Sequence, residues 1–246
     1  MKVDHFEQQK LLDLAAEDVA LTQLAHRRRT LPEVAAVEAA EESERERSAD
    51  VVRAETEAKD LTREVRRLES DVDTVRQRAA RDQQRLDSGS ATPKEMTGLQ
   101  HEMESLARRQ ADLEDQELEL MERLETAESA LASAQQAVQE AREARERAEQ
   151  RRDDALADIA DGTARHETAR AAIAEGISAP LLSLYDRIRA QTGSTGAAML
   201  QARACQGCRI ELNGRELAAV RNADPHEVVR CENCGRILVR TAESGL

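Results

Sequence analysis

The sequence predicts a mainly α protein: a long antiparallel coiled-coil hairpin followed by a small C-terminal head of short β-strands and a short helix. Three observations predict it. Over two long stretches apolar residues recur at alternating steps of three and four, with charge almost everywhere else. One compact turn signal separates these stretches. All four cysteines fall between residues 205 and 234.

Composition supports long helices over a globular core. Charged residues make up 35% and aromatics 1%; Phe6 and Tyr185 are the only aromatic rings. Large rings supply much of the buried area of ordinary cores, whereas Ala, Glu, Arg and Leu in abundance suit extended helices. No run approaches the roughly 18 apolar residues of a membrane span, and the first ten residues contain no apolar leader region. A cytoplasmic protein without membrane contact is expected.

Near the N-terminus Leu11, Leu14, Leu21 and Leu24 form an apolar stripe. Thr30-Leu31-Pro32-Glu33 reads as a capping box and a kink near 30–32, because proline cannot continue the hydrogen-bond ladder. The first seam then runs Val51, Ala54, Ala58, Leu61, Val65, Leu68, Val72, Val75, Ala79, Asp82 and Leu86. So narrow a stripe, sustained over several heptads, specifies a coiled coil.

The turn is expected at 87–92. Gly89 suits the left-handed position after a helix end. Thr92, Pro93 and Glu95 then supply an N-cap, a first-turn proline and the N3 acid of a capping box. So short a connection makes the flanking helices antiparallel neighbours. The second seam runs from Met96 through Leu106, Leu113, Leu120, Ala127, Val138, Ala148 and Ala155 to Ile159, with polar interruptions at Gln110, Glu117, Arg145 and Arg152. Helices over 4–29 with 33–86, and over 93–175, give arms of nearly equal length, about 120 Å each. The N-terminal segment can therefore lie along the far end of the second arm.

Residues 1–176 are thus expected to form the hairpin, 177–196 a short helix (Leu181, Leu184, Tyr185, Ile188) and a Gly193–Gly196 linker, and 197–246 the head. Within the head, strands are expected at 198–202 and 236–240, with a short helix over 213–221.

The head carries Cys205-Gln-Gly-Cys208 and Cys231-Glu-Asn-Cys234, separated by 22 residues. Two residues between ligands let one tight turn present both sulfurs to one ion, and four thiolates suit tetrahedral zinc. One structural Zn2+ held by Cys205, Cys208, Cys231 and Cys234 is expected. Disulfides would need an oxidising compartment. A thioredoxin-like dithiol would need a βαβ context that the upstream sequence lacks. A hydrolytic zinc keeps one position open for water, and four protein ligands close the shell. His226, close to the second knuckle, is left without a ligand role.

These residues resemble a bacterial family of proteins with a long N-terminal helical hairpin and a C-terminal C4-type zinc ribbon. The carriers are Gln9–Leu14, Leu31-Pro32, the turn run Thr92–Met103, the stretch Leu113–Glu122, Tyr185–Ile188 and Cys231–Leu238. The resemblance implies a non-enzymatic adaptor or chaperone-like protein; relatives are linked to flagellar or type III secretion components, to an alternative sigma factor, or to RNA. Val239 stands where family members often carry an aromatic, which weakens any case for base stacking there.

Net charge is −13, yet residues 197–246 carry seven arginines against six acids, so the acidity lies in the first 196 residues. An acidic surface disfavours phosphate backbones. The leading expectation is a zinc-binding coiled-coil scaffold for protein–protein interaction, a monomer or weak dimer. The alternative is nucleic-acid binding through Arg203, Arg209, Arg215, Arg221, Arg236 and Arg240 of the ribbon, in regulation of gene expression. Catalysis has no support: no Gly-rich phosphate loop is present, and the carboxylates are expected on exposed helix faces.

Overall fold

A computed structural model describes residues 1–89 and 91–246. In chain order the elements are α1 (His5–Arg29), α2 (Pro32–Asp87), α3 (Pro93–Glu175), α4 (Ala179–Thr192), β1 (Ala197–Gln201), β2 (Ala204–Cys205), α5 (Gly214–Asn222), β3 (Val229–Arg230) and β4 (Ile237–Val239). The chain divides into two compact units: a hairpin unit, Ala35–Glu149, and a head unit, Met1–Val34 with Gln150–Leu246.

In the hairpin unit the seams are the buried line. Ala58, Leu61, Val65 and Val72 of α2 are buried, as are Leu106, Leu113, Ala127, Val138 and Ala141 of α3. Ala58 and Leu61 pack with Ala127, Leu120, Leu124 and Leu131. Cross-helix ion pairs fix the direction: Glu44 meets Arg142 and Arg145, Arg76 meets Glu114, and Arg78 meets Glu102. Rising numbers on α2 meet falling numbers on α3, so the pair is antiparallel. The interruption at Arg145 is thereby resolved, because its guanidinium reaches Glu44 at 2.7 Å and Glu149 at 2.6 Å.

The turn closes by local chemistry. Gly89 has φ 65°, the left-handed value that a Cβ disfavours. The Thr92 backbone N–H donates to Glu95 Oε2 at 2.8 Å, and the Glu95 N–H points back to Thr92 Oγ1 at 3.4 Å. Ser90, inside the expected turn, lies outside the described residues. The box expected at Thr30 does not form. Thr30 instead caps the end of α1, its N–H and hydroxyl both donating to the His26 carbonyl at 3.0 Å. Among the described residues, Glu33 Oε2 is buried without a hydrogen-bond partner.

In the head unit four strands form one sheet in the order β2-β1-β4-β3, with β1 and β4 parallel and the outer pairs antiparallel. Period-two alternation gives the sheet two buried faces. Ala197, Ile237 and Val239 join Leu11 and Leu14 of α1 and Leu181, Tyr185 and Ile188 of α4 in one core. Ala198, Leu200 and Leu238 face the other way, toward Cys205, Cys231, Leu212 and Val220. The N-terminus adds a clasp: the Val3 N–H donates to the His226 carbonyl at 2.6 Å, and Val228 N–H to the Met1 carbonyl at 3.0 Å.

The Gly193–Gly196 segment is pinned. Gly193 ends α4 in the left-handed conformation. The Gly196 carbonyl accepts from the Ile237 N–H at 3.0 Å. A Cβ at Gly196 would stand 2.2 Å from the Tyr185 carbonyl oxygen, so only glycine fits between α4 and β4.

Candidate metal centre

Two loops of identical backbone design carry the four thiols. In the first, Cys205 N–H donates to the Ile210 carbonyl at 3.0 Å and Arg209 N–H to the Cys205 carbonyl at 2.7 Å. In the second, Cys231 N–H donates to Arg236 and Gly235 N–H to Cys231, each at 2.9 Å. The residue after the second cysteine turns left-handed in both, with φ 61° at Arg209 and 75° at Gly235. The first loop thus places an arginine where the second uses the residue that tolerates this conformation best.

These loops bring the four sulfurs within 4.8 Å of one another. Cys205 Sγ lies 3.8 Å from Cys234 Sγ, and Cys208 Sγ 3.9 Å from Cys231 Sγ. A tetrahedron with Zn–S bonds of about 2.3 Å has edges of about 3.8 Å, whereas a disulfide needs about 2.05 Å. The donor set therefore fits one zinc ion and no disulfide. Four sulfurs complete a tetrahedron and leave no position for water, so the ion would cross-link the two loops rather than activate a substrate.

The thiols are unequally prepared for a cation. Burial pushes Cys205 up to about 12, against hydrogen bonds from the Cys208 and Gly207 backbones. Burial also raises Cys231. At Cys234 burial is outweighed by hydrogen bonds from the Arg236 backbone and side chain and from Cys231 and Cys208, which draw it down to about 7. Cys234 is thus the thiol most ready to ionise, and binding must expel protons from its buried neighbours.

The arginines of the head divide into two groups. Arg240 is a clamp: Nη1 donates to the Ala223 carbonyl at 3.0 Å, and Nη2 to those of Asp224 and Glu227 at 2.8 Å. Arg236 Nε donates to the Thr195 carbonyl at 3.1 Å. Arg203 Nε reaches the Gly245 carbonyl at 3.3 Å. Among the described residues, the Arg209, Arg215 and Arg221 side chains make no hydrogen bond or ion pair, and they are exposed. His226 stays apart from the thiols; its N–H bonds Asp224 Oδ1 at 2.9 Å.

Residues 14–193 match the CT398-like coiled coil hairpin domain, and residues 204–238 match the C4-type zinc ribbon domain. The chain belongs to the CT398-like coiled-coil hairpin family. The uncharacterized Mycobacterium tuberculosis protein Rv2229c is 39% identical over 240 residues, with 98% of each chain covered. A solved structure from Mycobacterium smegmatis has a TM-score of 0.80 at 36% identity, covering 98% of this chain and all of the other. CT398 of Chlamydia trachomatis shares the fold, with a TM-score of 0.61 at 20% identity over 96% of this chain and 98% of that one. Hairpin and C4-type ribbon thus occur here in one chain.

A second constellation in this CT398-like chain went unread in the sequence. Asp18 is fully buried. It accepts from Tyr185 Oη at 2.6 Å and Arg170 Nε at 2.7 Å, and lies 3.0 Å from Arg189 Nε. Burial first, then the Asp18 hydrogen bond, raise the Tyr185 hydroxyl above its ordinary range and keep it a donor. The signal was present: Asp18 continues the spacing Leu11, Leu14, Asp18, Leu21, a charged residue on an apolar stripe.

Proposed function

We propose that the chain is a non-enzymatic, cytoplasmic adaptor, in which a coiled-coil surface and a zinc-stapled head each dock proteins. The observation that carries this reading is how the reactive groups are spent. Cys205, Cys208, Cys231 and Cys234 lie close enough to close a shell around one zinc ion, and Asp18, Tyr185, Arg170 and Arg189 satisfy one another. What remains available is surface: along α2 and α3 of the hairpin unit nearly every residue off the seams is exposed. Unbridged cysteines, with Cys205 and Cys234 sulfurs 3.8 Å and Cys208 and Cys231 sulfurs 3.9 Å apart, suit a reducing compartment.

Nucleic-acid binding through the ribbon is the weaker reading. Arg240, Arg236 and Arg203 spend donors on backbone carbonyls, Val239 is buried, and no aromatic ring offers a stacking platform in the ribbon. Photo-crosslinkers placed at exposed Val52 and Ile210 of the zinc-loaded chain, in native cells, test the choice. Discrete protein adducts are expected; adducts only to RNA or DNA would overturn the adaptor reading.

A further inference from the structure

Two exposed surfaces of this chain are complementary to each other. The first is a groove of about 1350 Å³ in the head unit, between the C-terminal half of α1 and the last third of α3. Leu21, Leu24 and Leu156 line it half-buried. Ala157, Ala160 and Ala164, all exposed, follow one another at i, i+3 and i+7. Such spacing marks one face of a helix, and alanines there let another helix approach closely. The rim is basic: Arg28, Arg29 and Arg189 against the single acid Glu167. Among the described residues, the Arg28 and Arg29 side chains make no ion pair or hydrogen bond. Part of their charge answers the C-terminal end of α1, but three consecutive arginines, 27 to 29, exceed what one helix end needs.

The second surface is a ridge on α3 in the hairpin unit. Leu118 is 61% and Met121 49% exposed, one helical turn apart. Asp115, Glu122 and Glu125 stand at i±3 or i±4 from them and are exposed. Among the described residues these three acids make no ion pair. The ridge is therefore an apolar helical strip flanked by unpaired acids, and the groove an apolar slot flanked by the unpaired Arg28 and Arg29, Arg189 being held by Asp18.

We propose that two copies of this chain associate by docking the Leu118–Met121 ridge of one into the α1–α3 groove of the other. The ridge lies on α3 of the hairpin unit and the groove in the head unit; the occupant is the ridge of a second copy because its unpaired acids match the groove's unpaired arginines. A helix laid in a groove is a standard mode of recognition: apolar residues at helical spacing supply affinity, and the flanking charges set partner choice. A self-complementary pair of surfaces satisfied in both directions closes a two-fold dimer. The inference does not depend on the adaptor reading; a monomeric chain could still dock other proteins.

Sedimentation of the full-length zinc-loaded chain at physiological ionic strength tests it. There a Debye length of about 8 Å screens the repulsion between two acidic molecules far more than pairs in contact. Concentration-dependent dimerisation is expected. Arg28→Glu with Arg29→Glu, or Glu122→Arg with Glu125→Arg, should each weaken it at least tenfold. Circular dichroism should be unchanged, because all four side chains are exposed. Mixed together, the two double variants should associate again, since each now presents the charge that the other's reversed surface lacks. A wild-type chain that stays monomeric at high micromolar concentration overturns the proposal and leaves the groove to an acidic helix of another protein. Dimers indifferent to both charge reversals, or variants that fail to associate when mixed, overturn it as well.

Discussion

Tyr185 Oη donates a 2.6 Å hydrogen bond to Asp18 Oδ2, and neither residue is accessible to solvent. The bond ties α4 to α1 across 167 positions of sequence. Arg170 joins α3 to the same carboxylate and also reaches Asp186 at 2.7 Å. One buried acid therefore holds three helices of the head unit in register. Asp18→Ala should cost about 3 kcal/mol, the lower end for breaking a buried ion pair, because Arg170 and Arg189 can still reach water. Tyr185→Phe should cost about 1.5–3 kcal/mol, the range for a hydrogen bond to a charged group. Chemical denaturation measures both. A Tyr185→Phe variant as stable as wild type would show that the two arginines alone satisfy Asp18.

Gly196 and Gly98 should respond oppositely to alanine. A methyl group at Gly196 collides with the Tyr185 carbonyl and ring, at 2.2 and 2.7 Å, so α4 must shift away from the sheet. A loss of about 2–3 kcal/mol is expected, at the upper end for overpacking. Gly98 lies within α3 with open space around it. Gly98→Ala should stabilise by about 0.5–1 kcal/mol through helix propensity. Thermal melts of the two variants against wild type decide this.

The twin knuckles make a paired test. Gly235 holds φ 75° at the position where Arg209 holds φ 61°. Gly235→Ala should destabilise by about 1–2 kcal/mol, the cost of a Cβ in the left-handed region. Arg209→Gly removes that cost but frees the unfolded chain, so the net change should stay within about 1 kcal/mol. Zinc-competition titrations with a chromophoric chelator should rank Gly235→Ala weakest and Arg209→Gly near wild type.

How much of this could be read beforehand depended on how local the cause was. The bounds of α3 at Pro93 and Glu175 follow from a cap, a proline and a capping acid within four residues, and from Gly176 just past the end. Both seams are periodic and were visible for that reason. The two-residue strands β2 and β3 were not, because knuckle geometry and pairing with β1 and β4 create them, with no pattern of their own. At Thr30 a local signal misled: the residue ends α1 instead of opening α2, its hydroxyl donating to the His26 carbonyl. The thiols were legible from spacing alone. Of the Asp18 cluster only the acid on its apolar stripe was legible; its partners lie 152 to 171 positions away and only folding brings them together.

Glu44 gives a pH signature to the hairpin unit. Its hydrogen bond to Arg145 first, with a further one to Arg142, holds the carboxyl below its usual range. A depressed folded value stabilises above the unfolded value of about 4.3 and is lost as pH falls through the folded value. The stability difference between wild type and Glu44→Gln should therefore be constant from pH 7 to about 5 and close below about pH 4. A difference that grows on acidification would mean that the arginines bind something else.

The central claim is that the metal is architectural: it staples a sheet whose other face packs on α1 and α4. Tyr185, the only tyrosine, sits in that shared core against Gly196 and reports on it directly. Circular dichroism of the full chain before and after zinc chelation is the decisive measurement. Loss of the near-ultraviolet tyrosine band, with most of the helical far-ultraviolet signal retained and the band restored by added zinc, is the predicted result. A tyrosine band indifferent to chelation would contradict the claim.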